Sequence, residues 1–203
     1  LDICCSACPG MRTLNLEMAE ITSDSGLVRW LDACPSLTKL DLHNTGMGTD
    51  TLSHVARHCP CVTHLTLGDV EWPEAINEAA IMSVCKHMKC LKSLDLLLES
   101  DDLELGLLFN ALRLRATTLT DLILDGELIR SMLTSDDLTG LKELLALLEA
   151  CHMLTNVQFN NEDGEGKDAN RHQIKLPEAV RVRNAMVSLL ESRGGTIAFF
   201  DTR

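Results

Sequence analysis

The chain has 203 residues, with 18 Lys and Arg against 30 Asp and Glu, a formal net charge of −12 with His neutral, 45% hydrophobic residues, 3% aromatics and no Tyr. This balance fits one globular domain with an aliphatic, Leu-built core. It argues against a nucleic-acid phosphate binder, which needs a basic stripe, and against docking on an anionic membrane. No apolar run approaches the ~20 residues needed to span a bilayer, since the richest, Leu94 to Leu98, is followed at once by Glu99 and Asp101.

In chain order, Leu1-Asp2-Ile3-Cys4 carries neither the basic n-region nor the long apolar h-region of a signal peptide, and no initiator Met. The first patterned segment is Cys8-Pro-Gly-Met-Arg-Thr-Leu14-Asn-Leu16. Its Leu-x-Leu predicts a short strand with both leucines on one side. Ser23-Asp24-Ser25 then supplies helix N-caps ahead of Leu27, Val28, Trp30 and Leu31. The pattern returns as Cys34-Pro-Ser-Leu-Thr-Lys-Leu40-Asp-Leu42, followed by Thr49-Asp50 and a helix carrying Leu52, Val55 and Ala56. It returns again as Cys59-Pro-Cys-Val-Thr-His-Leu65-Thr-Leu67, with a helix over 74–87 carrying Ile76, Ala79, Ala80 and Val84. Met88-Lys-Cys-Leu-Lys-Ser-Leu94-Asp-Leu96 precedes a helix over 103–115 with Leu107, Leu108, Ala111 and Leu112. Ala116-Thr-Thr-Leu-Thr-Asp-Leu122-Ile-Leu124 precedes one over 138–151 with Leu141, Leu144, Leu145 and Leu148. Cys151-His-Met-Leu-Thr-Asn-Val157-Gln-Phe159 precedes one over 177–193, opened by Pro177, stopped by Gly194-Gly195, and carrying Val180, Val182, Ala185, Met186, Leu189 and Leu190. Ile197-Ala-Phe199 reads as a degenerate last copy.

Leu14, Leu40, Leu65, Leu94, Leu122, Val157 and Ile197 follow at steps of 26, 25, 29, 28, 35 and 40 residues. The first four steps lie in the ~20–29 residue range of leucine-rich repeats. One strand–turn–helix unit cannot bury its own Leu face, so units must stack. Where a copy carries Cys-Pro, the Pro ends the preceding helix and pushes the Cys toward extended geometry. The predicted fold is an α/β leucine-rich-repeat solenoid, a horseshoe with a concave parallel sheet and helices on the convex side. It forms a single repeat domain over 1–203, with an acidic loop over 160–172. Aligning Cys8 with Cys34 sets Leu1 against Leu27, inside a repeat helix. The start is therefore read as N-terminally truncated, a fragment or processed form whose end a further repeat or a partner covers.

The Cys-Pro-x-Leu-x-x-Leu-x-Leu pattern, with Ile21-Thr22 and Gly26-Leu27 after the first copy, resembles the cysteine-containing leucine-rich repeat found at the substrate-binding end of F-box proteins. The match is strongest over the first third of the chain. From about Met88 only the strand motif persists. The resemblance implies a substrate-recognition role in a ubiquitin ligase adaptor, with any F-box lying before Leu1. The family's Cys or Asn three residues after Leu-x-Leu is replaced by Ala19, Thr45, Val70, Glu99 and Glu127.

Nine cysteines, an odd number recurring at one repeat position, favour reduced buried thiols and a cytoplasmic or nuclear location over a disulfide scaffold. Cys5-x-x-Cys8 is the one Cys-x-x-Cys pair and lacks a matching second one, although Cys59-x-Cys61 lies near His54, His58 and His64. No Gly-x-Ser-x-Gly or His-Glu-x-x-His motif is present. Gly164-Glu165-Gly166-Lys167 fails as a phosphate loop, because Asn161 and Asp168 stand where Gly and Ser or Thr are needed. The surrounding acidic stretch fails as an EF-hand on its liganding offsets. No enzyme, metal or cofactor is expected. Trp30 is expected in the core, and Trp72, beside Pro73, either in the core or against a partner.

Solenoids bind on the face made by aligned side chains. Three rows result: Thr13, Lys39, His64, Ser93, Asp121 and Asn156; Asn15, Asp41, Thr66, Asp95, Ile123 and Gln158; Glu17, His43, Gly68, Leu97, Asp125 and Asn160. The expected partner-binding residues are Lys39, Asp41, His43, His64, Thr66, Asp95, Asp121, Ile123, Asp125 and Gln158, with Asp41, His64, Asp95, Ile123 and Asp125 central. Acidic groups outnumber Lys39, which favours a protein partner with a basic or polar surface. A structural subunit of a larger assembly, or the sensing repeats of an innate-immune-type receptor, are the alternative roles.

Overall fold

Each copy of the motif becomes one strand in the computed structural model, which describes residues 9–19, 21, 24–45, 49–69, 77–98, 104–126, 128, 132, 138–160 and 177–198. The Cys5–Cys8 pair, Trp72, residues 161–172 of the acidic stretch, Phe199 and the start of the chain lie outside the described residues. Two compact units divide the chain, Leu1–Leu98 and Glu99–Arg203.

In the first unit β1 (Thr13–Asn15), β2 (Lys39–Asp41), β3 (His64–Asp69) and β4 (Ser93–Leu98) are parallel neighbours in chain order. Leu14, Leu40, Leu65 and Leu94 stand in register across all four, and Leu67 faces Leu96. This is the outcome required if the leucines form one ladder. Leu40, Leu65 and Leu94 are 2% exposed or less. Helices α1 (Asp24–Asp32), α2 (Thr49–His58) and α3 (Glu78–His87) follow the first three strands and lie side by side. Their buried faces are Leu27, Trp30 and Leu31; Leu52, Val55 and Ala56; and Ala80, Ile81, Val84 and Cys85. Burying each Leu contributes about 1.5–3 kcal/mol, so the ladder and the three helix faces together hold the unit. The α3 start is set by Asn77, whose Oδ1 accepts a hydrogen bond from the Ala80 amide at 3.1 Å.

In the second unit β5 (Asp121–Asp125), β6 (Asn156–Asn160) and β7 (Thr196–Ala198) are again parallel and in chain order. Leu122, Val157 and Ile197 share one register position, and Leu124 faces Phe159. Helices α4 (Leu105–Arg113), α5 (Thr139–Ala150) and α6 (Pro177–Glu191) lie side by side.

Both units are thus α/β leucine-rich-repeat arrangements. Some helix faces differ from expectation. α4 buries Leu108, Phe109, Ala111 and Leu112 and leaves Leu107 45% exposed. α5 buries Leu147 as well as Leu141, Leu144 and Leu148, with Leu145 half-buried. α3 turns Ala79 outward, and α6 does the same with Ala185. In each case the apolar residues outnumber the positions that one helix stripe can bury.

Candidate functional site

The strand starts are fixed by a threonine ladder. Thr38 Oγ1 donates to Arg12 O at 3.0 Å, and Thr63 Oγ1 donates to Thr38 O at 3.0 Å. The same carbonyls accept backbone amides: Arg12 O from Thr38 and Lys39, Thr38 O from Thr63 and His64, Thr63 O from Lys92 and Ser93. In the second unit Thr155 Oγ1 reaches Thr120 O at a longer 3.4 Å. Gly195 holds the position equivalent to this Thr in the last copy. A Cβ there would lie 2.0 Å from Thr155 O. Sequence reasoning passed over this ladder. Its signal was a Thr two residues before the first inner aliphatic of the strand and directly after another, at Thr38, Thr63, Thr120 and Thr155 in four of the copies.

The strand ends of the first two copies are fixed by side chains of the middle row. Asn15 Oδ1 accepts from the Glu17 amide at 2.8 Å, and Asp41 Oδ1 accepts from the His43 amide at 3.1 Å. Both are Asx turns, in which a short polar side chain replaces a backbone acceptor. Asn15 Nδ2 then donates to Asp41 Oδ2 at 3.1 Å. Thr45, three residues after Leu42, is 2% exposed and donates to Leu42 O at 2.9 Å. The Thr45 side chain thus bonds the turn backbone at this strand end.

On the sheet face of the first unit the register brings the expected residues together. Lys39 faces His64, which faces Ser93; Asp41 faces Thr66, which faces Asp95; Gly68 faces Leu97. Lys39 and His64 are exposed, whereas Asp41, Thr66 and Asp95 are half-buried. The Thr63 hydroxyl has one proton, already given to Thr38 O, so its 2.8 Å contact with His64 Nδ1 assigns the proton there to the imidazole. His43 is 15% exposed in its side chain, with Nδ1 3.8 Å from Glu17 Oε1. Its ring covers Gly68, where a Cβ would come within 2.3 Å of Cδ2. Of the expected contact residues here, Lys39, His64 and Thr66 offer groups to a partner, while Asp41 and His43 are largely engaged within the sheet.

The second unit gathers the remaining four. Asp121 accepts from Thr120 Oγ1 at 2.6 Å and from Asn156 Nδ2 at 3.2 Å. Asn156 Oδ1 in turn accepts from Gln158 Nε2 at 3.2 Å and Thr196 Oγ1 at 3.5 Å. Ile123 faces Gln158, and both are half-buried, as is Asp125.

The corner cysteines Cys34, Cys59 and Cys151 are buried. The Cys59 thiol is pushed up to about 12, first by burial and then by the negative fields of Asp32, Cys34 and Cys61. Burial also raises Cys151, opposed by the nearby Arg113 and Arg193 guanidinium groups. Such thiols stay protonated and unreactive at neutral pH. Nearby, His58 Nδ1 pairs with Asp32 Oδ1. Among the described residues no group of three or more His, Cys, Asp or Glu could hold a metal ion, and no helix is long and apolar enough to cross a membrane.

No family model and no curated protein matches the chain. Among solved structures it is similar to actin-binding site 2 of leiomodin-1, at 16% identity over 92% of this chain and 83% of that one, with a TM-score of 0.46. It is similar to the leucine-rich repeat-containing protein LegL7 from Legionella pneumophila, at 20% identity over 73% of this chain and 46% of that one, with a TM-score of 0.49. The tropomodulin C-terminal domain from Caenorhabditis elegans is 13% identical over 92% of this chain and 86% of that one, with a TM-score of 0.43. No residue role is carried across from any of them.

Proposed function

We propose that the chain is a protein-recognition module whose partner docks on the sheet face of the first unit. The observation that supports this is the in-register set of polar side chains above a wholly buried leucine ladder: Lys39 beside His64, and Thr66 between Asp41 and Asp95. Aligned rows of this kind present several contacts at fixed spacing with little ordering cost. The partner has a basic or polar surface, matched to the acidic side chains Glu17 and Asp95 on this face. The role is binding without catalysis and without a cofactor, and the reduced corner thiols suit the cytoplasm or nucleus.

The finer reading is the substrate-recognition part of an F-box-type ubiquitin ligase adaptor. It rests on the resemblance of the Cys-Pro-x-Leu repeats alone. Its signature is a bound protein that accumulates when the full-length protein is depleted and is no longer ubiquitinated.

The test compares three forms recovered from native cells: wild type, Glu17→Lys/Thr66→Lys, which places positive charge on the sheet face, and Arg57→Glu on the exposed side of α2. The expected result is a partner retained by the first and third and reduced at least tenfold with the second, at unchanged thermal stability. Equal recovery with the first two forms would overturn the docking face.

A further inference from the structure

Among the described residues, the cysteines that the core does not use sit at a different repeat position. Cys61 and Cys90 are exposed, unlike the buried Cys34, Cys59, Cys85 and Cys151. Cys61 stands four residues before Leu65 and Cys90 four before Leu94, and these two leucines are register partners on adjacent parallel strands. The backbone between is also equivalent. Val62 N donates to Cys59 O and Leu91 N to Met88 O, both at 3.2 Å, so both corners turn the same way. Lys92 N and Ser93 N both donate to Thr63 O at 2.9 Å, which ties the two corners together immediately after the cysteines. Val62 and Leu91 are both 0% exposed, so the preceding cysteines are on the outward side of matching turns.

We infer that Cys61 and Cys90 form a dithiol site that closes reversibly into a disulfide across the third and fourth copies. Adjacent parallel strands lie about 4.8 Å apart, and matching turns carry that spacing to the two cysteines. A disulfide needs Cα atoms roughly 4.4–6.8 Å apart and Cβ atoms roughly 3.5–4.5 Å apart, so the Cα spacing fits and closure has to draw the two Cβ atoms together by only a few tenths of an ångström. The co-reactant is a low-molecular-weight disulfide such as oxidised glutathione. One cysteine thiolate attacks a glutathione sulfur, breaking that S–S bond, releasing one glutathione thiolate and leaving a mixed disulfide on the protein. The second cysteine thiolate attacks the protein sulfur of the mixed disulfide, forms the Cys61–Cys90 bond and releases the second glutathione. Two protein thiols are oxidised and one glutathione disulfide is reduced, with the two protons given up by the protein thiols ending on the two released glutathione thiols. The buried Cys59, two residues away with its thiol pushed up, is a poor competitor.

The test titrates the folded full chain with oxidised glutathione at neutral pH, followed by alkylation and mass spectrometry of a non-reduced digest. Trypsin releases Cys90 within Cys90-Leu-Lys92, separate from the segment that holds Cys61. The expected product is these two peptides joined, in a monomer whose mass is about 2 Da lower and which dithiothreitol restores. The link is lost in Cys61→Ser and in Cys90→Ser and kept in Cys59→Ala. Glutathione adducts on either cysteine without the link, a link only between molecules, or a link that survives Cys61→Ser would each overturn the site.

Discussion

The two units solve the same stacking problem with different polar chemistry. In the first, copies recur every 25 to 29 residues. There the ladder is held at the strand starts by Thr38 and Thr63, and at the strand ends by Asn15 and Asp41. In the second, the steps stretch to 35 and 40 residues, and the threonine contact lengthens to 3.4 Å. A side-chain chain from Thr120 through Asp121 and Asn156 to Gln158 and Thr196 crosses the strands on the outer face instead. The lesson is that a short, constant repeat lets the backbone corners carry register. Where the repeat lengthens, the outer row is drawn into the sheet's own hydrogen bonding, which leaves fewer of its polar groups for a partner.

The sharpest way to break the second arrangement is at its last corner. Gly195→Ala forces a Cβ to within 2.0 Å of the Thr155 carbonyl, backbone that cannot move aside cheaply. It also disturbs the 2.7 Å bond from Thr196 N to that carbonyl. The expected loss is about 3 kcal/mol in denaturant unfolding, against near zero for Gly10→Ala in the first unit, where nothing lies within 4 Å. Equal effects at the two glycines would show that the last strand is not held through Thr155.

A smaller effect separates the corner thiols by pH. Cys59 is raised to about 12 in the folded chain, above its unfolded value near 9. The folded state therefore favours the protonated thiol. The resulting stability is fully present below pH 9 and is lost as pH rises toward 12, by about 1.4 kcal/mol per pH unit above pH 9. Cys151 is raised as well, but Arg113 and Arg193 pull it back. Arg193 lies close because its Nη1 donates to Leu148 O at 2.8 Å and Cys151 O at 3.0 Å, at the C-terminal end of α5 where a cation is favoured. Unfolding at pH 8 and pH 10 should show Cys59→Ala removing more of the alkaline loss than Cys151→Ala. The reverse order would mean that burial at the two corners is not what the thiols sense.

These contrasts also mark what could be read from the residues alone. The leucine ladder was legible because Leu40, Leu65 and Leu94 repeat at strand positions that only one register can bury. The three rows were legible for the same reason, since fixing the inner leucines fixes everything between them. Which row members remain available was not. Asp41 and His43 look like any polar strand residues, and only the Asx turn, Glu17 and the space above Gly68 show them engaged. Helix faces were less legible in Leu-rich segments. With Leu105, Leu107 and Leu108 all apolar, composition does not say which one lies on the buried side.

The threonine ladder offers a test of about 1 kcal/mol. Thr63→Val deletes a 3.0 Å bond to Thr38 O together with the contact that orients His64, and should cost about 1 kcal/mol. Thr155→Val deletes only a 3.4 Å contact and should cost a few tenths. Similar losses at both sites would erase the proposed difference in how the two units hold register.

The smallest expected effect has the opposite sign. Met18 and Asn44 occupy the same place in successive copies, four residues after Leu14 and Leu40, and both adopt the left-handed backbone, at φ 59° and 52°. Each is held there by the ladder running past the strand end: Met18 N donates to His43 O at 2.9 Å, and Asn44 N to Gly68 O at 2.7 Å. Asn tolerates this conformation, whereas a Met crowds its Cβ against the following carbonyl at a cost of about 1–2 kcal/mol. Met18 recovers little by burial, since its side chain is 77% exposed. Met18→Asn should therefore raise stability by about 0.5 kcal/mol, and Met18→Gly by less, because glycine also frees the unfolded chain. Thermal unfolding of the two variants beside wild type decides the matter. A lower midpoint for Met18→Asn would mean that the methionine makes a contact worth more than the strain it carries.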